Sequence, residues 1–546
     1  MVLRASGETN APMVLNLKLD DYIQNVMRHN EAVQAQMLET EASRRKGKAE
    51  YGIFEPQLEA SFDHVANQRT NNVQQSAAQN GQGYFDERND IYDAGLESLV
   101  PTGGKIRLGY TLSDLGNNIY GGNVLETPTN QIWTKQYQTF AGVTFTQPLL
   151  KNAGLTPTLA NLRLAALDTD VAFQTYRQQL MLTLFRAEGA YWNLYFAQEQ
   201  VHFFDQSVAV AQGVLDDSRE KLKAGQDAEL DVLEAQSALA LRNTKRNDAL
   251  QNYYDAQGEL LVLMGKQQPY PPRHYYDGTS SKPDTLYPPD LSQAVAGNSF
   301  VYRVVDQPRE TSPALSFEDN FQDAFALNPD YLIQQKKLDA ERLRLGLAKN
   351  QLLPELNLKA SYGVNGLGLN PNTSWEMAQS ADFVSWAVGL EFSVPLAGDI
   401  KDRNLYQAAR IDLDAADVRL KGVETEISSG LNTAIQKADG WEQSIQSYQT
   451  VVHFNEELLK TQLERLKAGR VDGHRVLDVE SDLLDSRQEL ANALTQYQHS
   501  LLQVEVIAGN LLKHRNLDMT RQELQHQTTA WLNGTSSESG PGSHSN

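Results

Sequence analysis

Leu466-Lys467-Ala468-Gly469 closes a long helical pattern and repeats, residue for residue, Leu222-Lys223-Ala224-Gly225. The same offset superposes Val232-Leu233 on Val476-Leu477, Ser237 on Ser481, Tyr253 on Tyr497 and Gly265 on Gly509. Nearer the start of each copy, a second offset lays Asp21 on Asp319, Gln24 on Gln322, Asn30 on Asn328, Gln36 on Gln334, Ala42 on Ala340, Arg44 on Arg342 and Pro56 on Pro354. Two long copies mark a duplicated domain; a solenoid would show a period of about 20–50 residues.

Between these anchors the sequence alternates two kinds of segment. From Leu413 to Val452 apolar residues fall at Leu413, Ala416, Leu420, Val423, Ile427, Leu431, Ala434, Ala438, Trp441, Ile445, Tyr448 and Val452. Steps of three and four, with one extra four, read as a coiled-coil seam with locally relaxed supercoiling. The helix is expected from about Asp402 to Lys467, ~100 Å at 1.5 Å per residue, with its counterpart from about Thr158 to Lys223. Period-two runs follow a different logic. Leu356, Leu358, Ala360, Tyr362 and Val364 interleave with polar or small residues, as do Val384, Trp386, Val388, Leu390, Phe392 and Val394. Runs of about ten residues with one apolar face have the length of membrane-spanning β-strands. Matching runs in the first copy are about Gln57–Ala66 and Thr139–Gln147.

The two hairpins differ. Pro56 to Pro148 holds about 51 more residues than Pro354 to Pro395, with the surplus between about 67 and 137. It includes a Gln/Asn-rich stretch and a hairpin signal at Pro101-Thr102-Gly103-Gly104, followed by Ile106, Leu108, Tyr110 and Leu112 in alternation. An external loop and an added strand pair both fit. The expected organisation is a tail over 1–14, a first repeat over 15–265 and a Pro-rich connecting segment over 266–314. A second repeat over 315–515 and a largely disordered tail over 516–546 complete it.

Composition narrows the function. With 69 acidic against 48 basic residues in 546, the net charge is −21, so phosphate-rich nucleic acid is an unsuitable partner. Cysteine is absent, which removes disulfides and thiolate metal sites. No uninterrupted apolar stretch reaches the ~18 residues of a spanning helix, so a membrane-spanning form must be a closed barrel. Met1 to Asp20 has no apolar core of signal-peptide kind, so no targeting segment is visible. His202, His453 and His474 are scattered, Gly103-Gly104-Lys105 lacks the spacing of a phosphate loop, and no nucleophile elbow occurs. Neither an enzyme nor a cofactor or metal site is expected.

Several motifs in order resemble the TolC-like family of bacterial outer-membrane efflux factors. Phe145-Thr146-Gln147-Pro148-Leu149-Leu150 with Gly154, and Ser393-Val394-Pro395-Leu396, resemble its two strand-to-helix crossings. Lys467-Ala468-Gly469, then Val476-Leu477-Asp478-Val479 and Gln488-Glu489-Leu490-Ala491-Asn492-Ala493, resemble its turn into the last long helix. The resemblance covers roughly residues 15–515.

It implies a mainly α, internally duplicated chain whose long helices form a periplasmic α-barrel. The β-hairpins, at four strands per chain, would contribute to a trimeric 12-stranded β-barrel. Function would be that of a passive outer-membrane exit duct for efflux or type I secretion in a Gram-negative cell. Implied partners are two further copies, outer-membrane lipid, a periplasmic adaptor (membrane fusion) protein and an inner-membrane transporter. The alternative is a soluble or surface coiled-coil scaffold without channel activity.

The resemblance also implies a periplasmic aperture at Asp231 and Glu234 after Gly225, and at Arg470, Arg475 and Asp478 after Gly469. The turns at Gly225 and Gly469 would be adaptor-docking turns. Arg475 stands where well-known members have an aspartate, and Val471, beside Arg470, stands at their gating arginine. Asp478, Asp482 and Asp485 also suit a solvated helix face.

Overall fold

The structure is a computed structural model that describes residues 13–78, 83–118, 134–225, 228–265, 300–311, 315–396 and 398–534. The chain forms two compact units. One comprises Met1–Glu41, Ala172–Gln334 and Lys421–Asn546, the other Ala42–Val171 and Gln335–Leu420.

The first unit is mainly helical, although several of its helices extend beyond its residues into those of the second. Strand β1 (Met13–Leu17) leads into α1 (Leu19–His29) and α2 (Glu31–Ala49). Helix α5 (Ala160–Lys223, 64 residues) turns into α6 (Glu229–Leu263). In the second copy α7 (Phe317–Leu327) and α8 (Pro329–Gln351) correspond to α1 and α2. Helix α10 (Ile400–Lys467, 68 residues) and α11 (Gly473–Ala508) correspond to α5 and α6. Helix α10 is continuous over the whole predicted seam. Ala416, Ile427, Leu431, Ala434, Ala438 and Ile445 of that seam are buried, and its other members are half-buried.

The main core of this unit gathers Tyr22 and Val26 of α1, Leu184, Tyr191 and Leu194 of α5, and Leu260 with Met264 at the end of α6. Fully burying each such side chain stabilises the fold by roughly 1.5–3 kcal/mol. Strand β6 (Phe300–Val304) pairs in parallel with β1, so part of the expected connecting segment 266–314 belongs to this unit. Residues 266–299 and 312–314 of that segment, like 1–12 and 535–546, lie outside the described residues.

The duplication is written into two buried junctions. Asn30, between α1 and α2, accepts from Val33 N–H at 3.2 Å and donates to Leu263 O at 3.2 Å. Asn328, between α7 and α8, accepts from Tyr331 N–H at 3.2 Å and donates to Ile507 O at 2.9 Å. Each amide thus caps the next helix and ties it to the last turn of the long helix that ends its own repeat. Gly265 and Gly509 adjoin them at φ +60° and +76°. A Cβ there would lie 2.5 Å from His29 O and from Asn328 N respectively.

The second unit carries an antiparallel sheet of β2 (Gln57–Thr70), β3 (Tyr84–Leu99), β4 (Lys105–Asn117), β5 (Thr134–Pro148), β7 (Glu355–Gly368) and β8 (Val384–Ser393), in that spatial order. The four expected strands are present, but the sheet has six strands per chain where the twelve-strand figure assumed four. The extra pair comes from the insertion: β3 and β4 lie between β2 and β5. They turn at Pro101–Gly104, where Gly103 has φ +87° and Val100 N–H donates to Gly104 O at 2.7 Å. Short helix α3 (Val73–Ala78) precedes β3, and α4 (Leu155–Thr158) follows β5.

Register places one apolar row across all six strands: Leu58, Leu96, Leu108, Val143, Tyr362 and Trp386. The opposite face carries Glu59, then Gly95, Gly109, Gly142 and Gly363, then Ser385. Arg107 covers Gly95 and Gly109, and the Phe140 ring covers Gly142 and Gly363. Helix α9 (Pro371–Gln379) packs on the upper part of the apolar face. There Trp375 meets Tyr110 edge-on at 5.4 Å, and the Ser374 hydroxyl donates to Thr139 Oγ1 at 2.7 Å.

The two strand-to-helix crossings are joined. Leu149 N–H donates to Leu356 O at 2.7 Å, and Lys151 Nζ meets Asp402 Oδ2 at 2.7 Å, holding that carboxyl below its ordinary pKa through the hydrogen bond. Beyond Ala508, α12 (Leu511–His514) closes the expected second repeat, and α13 (Arg521–Leu532) occupies part of the stretch expected as a largely disordered tail from 516. Leu524 and Thr528 of α13 are buried, and a capping box at Thr520 and Glu523 starts the helix.

Candidate functional site

Both helix turns end on a left-handed glycine. Gly225 has φ +72° and Gly469 φ +64°, a region costing other residues about 1–2 kcal/mol. At the second turn Gly469 N–H donates to Leu466 O at 3.0 Å and Arg470 N–H to Arg465 O at 2.9 Å, a paired closure of the α10 C-terminus. One apolar cluster joins the turns: Ala211, Val214 and Leu215 of α5, Val232 and Ala235 of α6, Leu466 of α10, and Val476 and Leu477 of α11. Gly473 packs so closely on α5 that a Cβ would come within 2.7 Å of Val214 Cγ1.

The expected aperture residues ride on the exposed sides of this cluster. Asp231 and Glu234 flank buried Val232 and Ala235 on α6; Arg475 and Asp478 flank buried Val476, Leu477 and Val479 on α11. All four, with Arg470, are exposed. Asp231 Oδ2 accepts from Ala228 N–H at 3.0 Å, so it caps its own helix. Asp472 caps α11 by accepting from Arg475 N–H at 2.9 Å. Asp478 lies 3.5 Å from His474 Nδ1. Among the described residues no ion pair within the chain joins Arg475 to Asp231 or Glu234.

A different pair spans these helices. Arg242 on α6 donates from Nε to Glu480 Oε2 on α11 at 2.8 Å and from Nη2 to Leu477 O at 3.1 Å. Both side chains are nearly inaccessible to water, at 10% and 5% of full exposure. Each sits on the buried stripe of its helix. Val232, Ala235, Leu239, Arg242, Ala249 and Tyr253 follow steps of three, four and seven, and Val476, Glu480, Leu483 and Leu490 do likewise. Charges of opposite sign inside facing seams are a readable signal, which a search centred on the turns passes over. Farther along α11, Arg487 donates to Glu456 Oε1 of α10 at 3.2 Å and to Gln206 Oε1 of α5 at 2.7 Å.

One buried carboxyl lies at the other end of the helical unit. Burial pushes the Glu188 pKa up to about 7, although Arg515, which donates from Nε to Oε1 at 2.8 Å, acts in the opposite sense. Among the described residues no cluster of three or more His, Asp or Glu is arranged to hold a metal, and no helix is long and apolar enough to cross a membrane.

A duplicated chain with helices of this length and an antiparallel sheet apolar on one face defines the class of tunnel-forming channel proteins. This chain belongs to the outer membrane efflux protein family, which it matches over residues 120–266 and 320–510. It is 23% identical to outer membrane protein TolC of Vibrio cholerae over 393 residues, 69% of this chain and 78% of that protein. Against outer membrane protein TolC of Escherichia coli it is also 23% identical, over 63% of this chain and 64% of that protein.

Solved structures share the fold. The CmeC outer membrane channel of Campylobacter jejuni aligns with a TM-score of 0.59 at 14% identity, covering 92% of this chain and 90% of that one. VceC of Vibrio cholerae aligns with a TM-score of 0.58 at 12% identity, covering 90% and 96%. The protein is therefore an outer-membrane efflux duct, a passive channel and not an enzyme. The reading as a coiled-coil scaffold without channel activity gives way to this membership.

Proposed function

We propose that three copies of this chain enclose one duct, fed by a periplasmic adaptor and an inner-membrane transporter, for efflux or type I secretion. The supporting observation is the sheet itself. Among the described residues its edge strands β2 and β8 pair with no further strand, and beyond α9 its apolar face is open, with Leu58 and Trp386 at 74% and 73% exposure. Lipid tolerates neither free backbone edges nor an unclosed sheet, so copies must complete one another.

At the far ends of the helices, the exposed carboxylates and arginines around the joined turns are suited to forming the aperture. Asp231 and Glu234 of one copy would meet Arg470 and Arg475 of the next, and a ring of Asp478 would favour cations. The turns at Gly225 and Gly469 would present the adaptor-docking surface. Single-channel recording in planar bilayers tests this. Asp231→Ala with Arg475→Ala should raise conductance or leak; unchanged currents would remove these residues from the gate. A detergent-corrected native mass other than three chains would overturn the trimer.

A further inference from the structure

We infer that the inserted strands β3 and β4 are part of the membrane-spanning wall, so that each copy contributes six strands and three copies enclose a wide barrel of eighteen. The inference rests on the duct reading above. It concerns a stretch that the family match, beginning at residue 120, does not reach.

Four observations carry it. First, β3 and β4 have 16 and 13 residues, more than the roughly 9–11 that a tilted membrane strand needs. Their pairing is continuous, from Gln57↔Glu97 to Thr70↔Tyr84 and from Lys105↔Thr146 to Asn117↔Thr134. Second, their side chains continue the apolar face of the other strands. Leu96 and Leu108 extend the Leu58–Trp386 row, Ala94 and Tyr110 align with Ala60 and Ala141, and Tyr92 and Leu112 with Phe62 and Thr139. Leu96 and Leu108 are 47% and 55% exposed, so the described residues leave them largely uncovered.

Third, the opposite face is polar and internally compensated, as a water-filled lumen requires. Asp93 pairs with Arg107 and accepts from Thr111 Oγ1 at 2.7 Å, and Lys105 meets Glu97 at 3.0 Å. An external hairpin would have no reason to segregate its faces in phase with the membrane strands. Fourth, an even number of strands has been added. The edges β2 and β8 therefore still run in opposite directions, and antiparallel closure between copies remains available. Barrel diameter grows roughly linearly with strand number, so the lumen is about 1.5-fold wider than four strands per copy would give.

The absence of native cysteine makes a clean test possible. Single variants Leu96→Cys and Leu108→Cys on the apolar face, and Asn89→Cys and Thr111→Cys on the polar face, are placed in the full chain and reconstituted into liposomes. Tyr362→Cys and Ser361→Cys on β7 serve as the reference pair. A membrane-impermeant maleimide should label Asn89→Cys, Thr111→Cys and Ser361→Cys, with labelling lost at Leu96→Cys, Leu108→Cys and Tyr362→Cys.

If the β7 pair alternates but all four β3–β4 positions label alike, the hairpin lies outside the wall and the inference falls while the duct stands. If the β7 pair fails to alternate, the duct reading falls and takes the inference with it. A second measurement uses neutral polymers added to the extracellular side of a planar bilayer. Replacing residues 71–133 by a short turn sets β2 beside β5, still antiparallel, and should shrink the largest polymer radius admitted to about two-thirds. An unchanged cut-off would overturn the inference.

Discussion

The junctions at Asn30 and Asn328 and the hairpins β2–β5 and β7–β8 are equivalent parts of the two repeats, yet they behave oppositely. The junctions agree down to the atoms: the same amide caps a helix and donates to a carbonyl at the end of the same repeat's long helix. The hairpins differ by two whole strands. The lesson concerns what each part must satisfy. A buried polar junction has few solutions, because an amide out of water must meet its partners at fixed distances. A sheet needs only in-phase faces and an even strand count, so it accepts a pair of strands without disturbing its neighbours.

The comparison can be broken most sharply where the repeats differ inside the helical unit. Arg242→Ala leaves Glu480 buried without its partner and should cost about 3–5 kcal/mol. Its counterpart by the repeat offset, Ser486→Ala, removes two neutral hydrogen bonds, one donated to Leu483 O and one accepted from Asn455 Nδ2, and should cost about 1–3 kcal/mol. Thermal unfolding of detergent-solubilised protein reads both, and equal losses would show that the ion pair has no special weight.

Glu188 supplies the next effect, and its repeat counterpart Asn432 does not ionise. With its pKa raised to about 7 from 4.5, the folded state holds a proton that the unfolded chain has released between those values. Stability should therefore decline as pH rises from about 4.5 to 7 and level off above. Melting temperature across that window should flatten in Glu188→Gln, and a wild-type profile already flat would exclude the shift.

Asn30→Ala and Asn328→Ala should each cost about 1–3 kcal/mol, and by similar amounts, since each strands a half-buried carbonyl and removes a cap. A large inequality would mean that the two junctions only look alike. Smallest, Gly225→Ala and Gly469→Ala should each lose about 1–2 kcal/mol from the left-handed turn. The readout is hydrogen exchange of amides in the last turns of α5 and α10.

Much of this molecule was open to inspection residue by residue. The long helices follow from three-and-four spacing, because a helix can bury only one stripe. The four shared strands follow from alternation, because lipid and water demand opposite faces. The pair Leu466–Gly469 and Leu222–Gly225 disclosed the repeat and both turns. Other features stayed hidden for definite reasons. Strand β3 mixes charges into its run from Tyr84 to Leu99, so its period was masked until β4 supplied the partner face. The Arg242–Glu480 pair links residues far apart in sequence, and only the packing of α6 on α11 brings them within 2.8 Å. The exposed residues around the turns obey no stripe at all, since a solvated side chain has no face it must bury. Local periodicity thus specifies what a single segment must bury, whereas the place of each segment beside another is decided by long-range packing, which leaves no period in the sequence to read.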